Sequence, residues 1–145
     1  MENEVMVKEQ GMLDYAGEME TEKAMYCSFV ADTPEKKMQL VNAMNNPDFN
    51  ISDCINQVIL LRDIFVQTVM CHNEETGEEN PAPRTVLIDK DGKAYHAVSV
   101  GIFSSLKNIL FAFGQPSEWD APIPVKIEQI QRGKNRMYTL KVVRK

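Results

Sequence analysis

The chain is poor in the residues that most often carry chemistry: it has two histidines, three cysteines and one tryptophan in 145 residues. Cys27, Cys54 and Cys71 are odd in number and show no CxxC spacing, so reduced thiols are expected rather than a disulfide framework. Cys71 and His72 are adjacent, and neighbours on a strand point to opposite faces, which argues against a zinc site. Long apolar runs are also missing. No stretch reaches the eighteen residues of a spanning helix, and MENEVMVKEQ has acids where a signal peptide needs a basic start and an apolar core. A cytoplasmic protein is expected. The sequence holds no G-x-G-x-x-G, Walker, H-E-x-x-H or G-x-S-x-G motif, and neither His72 nor His96 has a Ser or Cys partner in a catalytic pattern. DKDG at 89–92 resembles part of a calcium loop, but Val98 stands where the bidentate Glu belongs. The expectation is a protein without catalytic activity, metal or cofactor.

What the chain does have is charge, sharply divided. Formal net charge is -5, yet residues 121–145 carry seven cations against one acid, Glu128, a net of +6. Residues 1–22 mirror this with seven acids against Lys8, a net of -6. Such a division implies a basic surface for an anionic partner and a separate acidic arm, which a pI near 5.1 conceals. Gly11 and Gly17 interrupt the polar arm and predict a flexible segment over 1–22.

At 43% apolar content, the remainder suffices for one core, and a single domain is expected over 23–145. Met25, Cys27 and Phe29 alternate with Ala24, Tyr26 and Ser28 as in a strand. Thr33 as N-cap and Pro34 at the first position open a helix with Met38, Val41 and Met44 at helical spacing, ended by Asn45, Asn46 and Pro47. NQVILLRDIFVQTVMCHN predicts a long strand over about 57–72. Large apolar residues in both phases around Arg62 and Asp63 imply a strand buried in part on both faces, or one that bends through a bulge and serves two sheets. The acidic loop NEETGEENPAP follows, then two strands turning at Asp91-Gly92 with positive φ expected at both positions. SSLKNILFAFG predicts a helix capped by Ser104 or Ser105, with Leu106, Ile109, Leu110 and Phe113 on one face and Gly114 as its stop. A last hairpin flanks the RGKN turn. Strand, hairpin, helix, hairpin is the order of an OB-fold: five strands in a small barrel over about 57–145, with the helix between the third and fourth strands. A mainly β fold with an N-terminal strand-helix extension is expected. A four-strand mixed sheet with two helices has the same order.

Single-strand binders combine cations that track the backbone with rings that stack on bases. Lys126, Arg132, Lys134, Arg136 and Lys141 are the candidate phosphate contacts, with Arg84 and Lys93 extending the track on the first hairpin. Tyr95 is the first candidate for stacking, followed by Phe65 and Tyr138, with Trp119 and Tyr26 behind them. Any one of these rings is more often core than stacking platform. The acidic loop with Glu74, Glu75, Glu78 and Glu79 would repel phosphates if it bordered the groove.

Residues 58–145 resemble small single-stranded DNA-binding proteins encoded by phages and mobile elements of Gram-positive bacteria. The resemblance lies in the DG-x-x-Y hairpin at 91–95, the helix ending at Gly114, the G-x-P-x-x-W-x-x-P-x-x-V-K linker at 114–126 and the terminal hairpin. It implies an OB-fold that coats the displaced strand in replication, without sequence preference or cofactor, in the host cytoplasm. The acidic arm is then a candidate contact for replication proteins, and exposed strand edges in the N-terminal extension offer pairing between subunits. Two other readings use the same chemistry: an adaptor whose basic hairpin docks an acidic partner, and an RNA-binding protein.

Overall fold

The computed structural model describes residues 25–144, the side chains of Arg132 and Asn135 excepted; the arm expected over 1–22 lies outside the described residues. In chain order the elements are β1 (Met25–Cys27), α1 (Pro34–Asn45), β2 (Phe49–Asn50), β3 (Val58–His72), β4 (Glu79–Asp89), β5 (Ala94–Val98), α2 (Val100–Phe113), β6 (Ile123–Arg132) and β7 (Asn135–Val142). Short 3₁₀ turns lie at Ile51–Asp53 and Pro116–Glu118. The sheet runs β2-β5-β4-β3-β6-β7, with β1 added on β3. It is a mainly β, OB-like architecture: a curled half-barrel with α2 between β5 and β6, and β1 and α1 as the N-terminal extension.

The long apolar run is one strand with a fault in it. Between Leu61 and Asp63 the pairing with β4 advances two residues on β3 for one on β4, so Arg62 is the extra residue of a bulge. The slip swaps the faces. Ile59 and Leu61 point into the main core before the bulge, Ile64 and Val66 after it. It also divides the other edge of β3, where 58–61 pair with β6 and 65–67 pair with β1. The apolar residues in both phases have a second cause as well: Phe65, Val86, Ile88 and Ala94 form a smaller cluster on the opposite face, covered by Ala43, Leu40 and Met44 of α1. Burial on both faces and the bulge are thus borne out, while the expected division between two sheets is not: both parts of β3 belong to one sheet. Ser28 holds the bulge. Its hydroxyl donates to Asp63 Oδ1 at 3.0 Å and accepts from Ile64 N at 2.8 Å, while Arg62 Nε donates to Asp63 Oδ2 at 2.9 Å. The Arg62 pair is partly exposed and worth at most about 1 kcal/mol. The charge-assisted Ser28 bond, worth about 1.5–3 kcal/mol, is the stronger clamp.

Several local expectations need correction. Of the stripe read from spacing only Met44 packs on the core; Met38 and Val41 on α1 are exposed, because the helix buries Ala43 with Leu40 beside it. Residues 79–83 continue β4 instead of looping. Ser99 N donates to Pro83 O, so Pro83, and Pro81 two residues back, turn their ring nitrogens away from β3 and cost that ladder no donor. At the β4–β5 turn only Gly92 takes positive φ, at 84°. Gly92 N donates to Asp89 O and Asp89 N to Lys93 O, which makes a three-residue loop with the glycine in the left-handed position. Helix α2 starts at Val100, five or six residues earlier than a cap at Ser104 or Ser105 would place it. Ser99 caps it by accepting from Ile102 N, and Phe113 is 48% exposed instead of joining the buried face of Leu106, Ile109 and Leu110.

Helix α2 also fits against the end of the half-barrel. The Ser105 hydroxyl donates to Gly101 O at 2.9 Å and accepts from Leu140 N of β7 at 3.1 Å, so the helix satisfies an edge amide of the sheet. This approach is so close that a Cβ on Gly101 would stand 2.2 Å from the Tyr138 carbonyl oxygen. Gly101→Ala should therefore lower the unfolding free energy by about 1–3 kcal/mol through overpacking, and Ser105→Ala by a similar amount through the orphaned Leu140 amide, both read by urea denaturation. Two-state curves at wild-type midpoints would show that the helix does not brace β7.

Candidate nucleic-acid interface

The C-terminal basic stretch folds as expected into a hairpin, β6 against β7, closed by a two-residue turn in which Gly133 takes φ 61°. Strand alternation sorts its side chains. Val125 and Ile127 point into the core, with Tyr138 and Leu140 packed against it. Lys126 and Lys141 point the other way and sit directly opposite each other. Like charges in that position repel, and neither lysine has an acidic partner within ion-pairing distance among the described residues. Val58, paired to Lys126 on the third strand, is 52% exposed, so the row Val58, Lys126, Lys141 is an open outer face. Lys134 and Arg136 are exposed at the far end of the hairpin, where Arg136 pairs with Gln131. The backbone of Arg132 closes the turn opposite Asn135; its side chain lies outside the described residues.

The register separates the two signs of charge. Because β6 is antiparallel to β3 and meets it only at 58–61, residues 127–132 carry the basic turn past the start of β3. The acidic residues Glu74, Glu75 and Glu78 sit past its other end, in the turn of the β3–β4 ribbon, and Glu79 opens β4 opposite His72, the last residue of β3. Asn73 shapes that turn, its Oδ1 accepting from Glu75 N and Thr76 N. The acids thus stand about a full strand length, on the order of 45 Å of β3, from Lys126. They do not border the lysine pair.

Arg84 and Lys93 do not form one track. Lys93 is exposed in the β4–β5 turn, whereas Arg84 lies at the opposite end of β5, across from Val98. Arg84 Nη1 donates to Gln67 Oε1 at 2.9 Å on the outer face, near His96. Burial, and then the Arg84 charge, pull the His96 imidazole below its ordinary value and keep it neutral at pH 7. Its Nδ1 is buried without a hydrogen-bond partner.

The rings divide differently from expectation. Phe65 is 1% exposed, inside the cluster beneath α1, and offers no face to a base: its place among the stacking candidates is corrected to a core role. Tyr138 packs on the main core from the inner side of β7. Tyr26 is buried, its hydroxyl donating to Gln115 Oε1, and Trp119 packs on the main core with Nε1 donating to Gly114 O at 2.9 Å. Tyr95 is half-buried, and its hydroxyl donates to Asp89 Oδ2 at 3.1 Å. Burial, with the Asp89 charge adding to it, pushes the phenol up to about 12, so it stays a donor at neutral pH. One face of Tyr95 is already taken. The ring of Phe49 stacks on it at 4.9 Å between centroids and 26° between planes, and Phe49 itself is 43% exposed. Sequence reasoning missed Phe49 because a two-residue strand leaves no periodic signal.

Among the described residues, no group of three or more His, Cys, Asp and Glu side chains is placed to hold a metal ion. No helix is long and apolar enough there to cross a membrane. Compared with known proteins, the chain matches the family model described as phage single-stranded DNA-binding protein, of Phi29 type, over residues 19–143. No curated protein and no solved structure matches significantly. A match over most of the chain, on an OB-like half-barrel, places this protein in the phage single-stranded DNA-binding protein family.

Proposed function

We propose that this chain coats the displaced single strand during phage DNA replication, binding without sequence preference and without making or breaking a bond. The observation that carries the reading is the Lys126–Lys141 pair. Two ammonium groups held opposite each other on an outward row, with no acid within ion-pairing distance among the described residues, cost the fold stability and gain a counter-charge when phosphates arrive. Lys134 and Arg136, with Arg132, continue the cationic surface to the hairpin turn, while Arg84 and Lys93 are separate contacts on the first hairpin. The acids beyond the far end of β3 direct the strand's phosphates toward the lysine end. Replication proteins would be met through residues 1–22, leaving the hairpin to DNA. The family match favours single-stranded DNA over an acidic protein partner or RNA as the hairpin's ligand.

Titration with oligo(dT) at low and moderate salt, with duplex DNA and oligo(U) as competitors, tests this directly. Tight, salt-sensitive binding that oligo(dT) alone displaces is expected; displacement by oligo(U) at equal concentration would favour RNA, and no binding at low salt would sink the reading. Lys126→Gln and Lys141→Gln should each reduce the slope of log affinity against log salt by about 0.7, the value for one phosphate on a single strand. Lys141→Glu separates binding from folding. It should weaken oligo(dT) binding and yet raise the unfolding free energy by about 0.2–1 kcal/mol, since it converts a repulsive cross-strand pair into an attractive one. Unchanged affinity in the glutamate variant would remove the lysine row from the interface.

A further inference from the structure

Among the exposed apolar side chains of the described residues, Phe49 has its ring stacked on another ring. Phe111 is 92% exposed on α2, and Phe113, 48% exposed, adjoins Val142 in a groove for which nothing identifies an occupant. Phe49 lies on β2, which pairs in parallel with the outer edge of β5, Phe49 beside Tyr95 and Asn50 beside His96. Its ring rests on Tyr95, and Tyr95 is anchored in turn by its hydrogen bond to Asp89. The backbone under this stack is fixed as well. Asp48 Oδ2 accepts from Ala94 N at 2.9 Å, and Ile51 and Cys54, just after the ring, are buried in the main core. An aromatic face held open at a sheet edge by this much support resembles a platform that loses little entropy when a flat ligand lands on it.

We infer that Phe49 is a base-stacking residue, taking a nucleobase of the bound single strand on the face turned away from Tyr95. The inference rests on the single-strand reading above and adds a residue from outside the barrel proper. Position supports it. Asn56 N donates to Ile127 O at 2.7 Å, beside Lys126, and the seven residues from Phe49 to Asn56 can span at most about 25 Å. Ring and lysine row lie on opposite faces of the sheet, Phe49 with Tyr95 on the side of the main core and Lys126 on the outer side, so a strand that meets both passes around the sheet edge within the four to sixteen or so nucleotides that one OB domain covers. Local charge fixes which part of the strand faces the ring. Asp48 and Asp53 flank Phe49 and repel phosphate, so the base turns toward this edge while the backbone runs on the side of exposed Lys93. No base preference follows, because every base has a flat face.

The test is a titration of the full chain with oligo(dT), comparing wild type with Phe49→Tyr, Phe49→Leu and Phe49→Ala. Tyrosine should bind within about twofold of wild type, and leucine and alanine about 5–150-fold more weakly, with the salt slope unchanged because no phosphate contact is lost. Leucine keeps the apolar cover over Tyr95 without an aromatic face, so it remains informative where alanine unfolds the edge. Phe49→Trp gives an independent reading: its added emission should be quenched by oligo(dT) beyond the response of Trp119 in the wild type. Wild-type affinity in the leucine variant, or unquenched emission from Trp at 49, overturns the stacking assignment and leaves the single-strand reading standing. Failure of the wild type itself to bind oligo(dT) at low salt overturns that reading, and this inference with it.

Discussion

A single extra residue, Arg62, sets the geometry of the molecule. Without the slip it introduces, β3 would keep one set of side chains inward along its whole length, and Ile59 and Leu61 would lie on the opposite face from Ile64 and Val66. The bulge lets both sets reach one core and bends the strand so that its free edge meets β6 first and β1 afterwards. Ser28 and Asp63 stabilise the bend with half-buried bonds, and Lys90 N donates to Leu60 O at 2.9 Å just before it. The curl of the sheet, the direction of the basic hairpin and the position of the acidic ribbon all follow from it.

That geometry explains how a chain of net negative charge can present a surface to DNA. The hairpin leaves the sheet where β3 begins and the ribbon where β3 ends, so cations and acids occupy opposite ends of one strand instead of neutralising each other. At physiological salt the Debye length is roughly 8 Å, so charges a strand apart hardly sense one another, and a phosphate near Lys126 responds to the lysines. Helix α2 performs a different service. By satisfying the Leu140 amide through Ser105 and approaching the Tyr138 carbonyl at Gly101, it steadies the strand that carries Lys141.

Much of this was legible in the sequence, for identifiable reasons. Regular elements announce themselves by repetition: the Thr33-Pro34 helix start, the long strand with its irregular phase, and the two hairpins lie where alternation and turn residues put them. The order of strands fitted the OB-like half-barrel and a four-strand mixed sheet alike, and the strand pairing separates them. What escaped depends on tertiary partners. Whether Met38 or Ala43 faces the sheet depends on how α1 docks, since both satisfy a helical period. Phe65 reads as a half-exposed strand residue until α1 is known to cover it, and Tyr95 reads as a free platform until Phe49 arrives from a two-residue strand. The cations illustrate the same division: Lys126 and Lys141 become a pair only once register is known, and Arg84 and Lys93, though in one hairpin, are separated by the whole of β5.

The central claim is that the single strand lies across the lysine row and the Phe49 edge and avoids the acidic ribbon. Amide hydrogen exchange on the full chain, with and without saturating oligo(dT), tests it without any substitution. Slowed exchange at 49–50, 93–96 and along 126–141, with residues 73–79 unchanged, is the predicted result. Protection centred on the ribbon, or on the α2 groove at Phe113 and Val142, with the lysine row unaffected, would contradict the account.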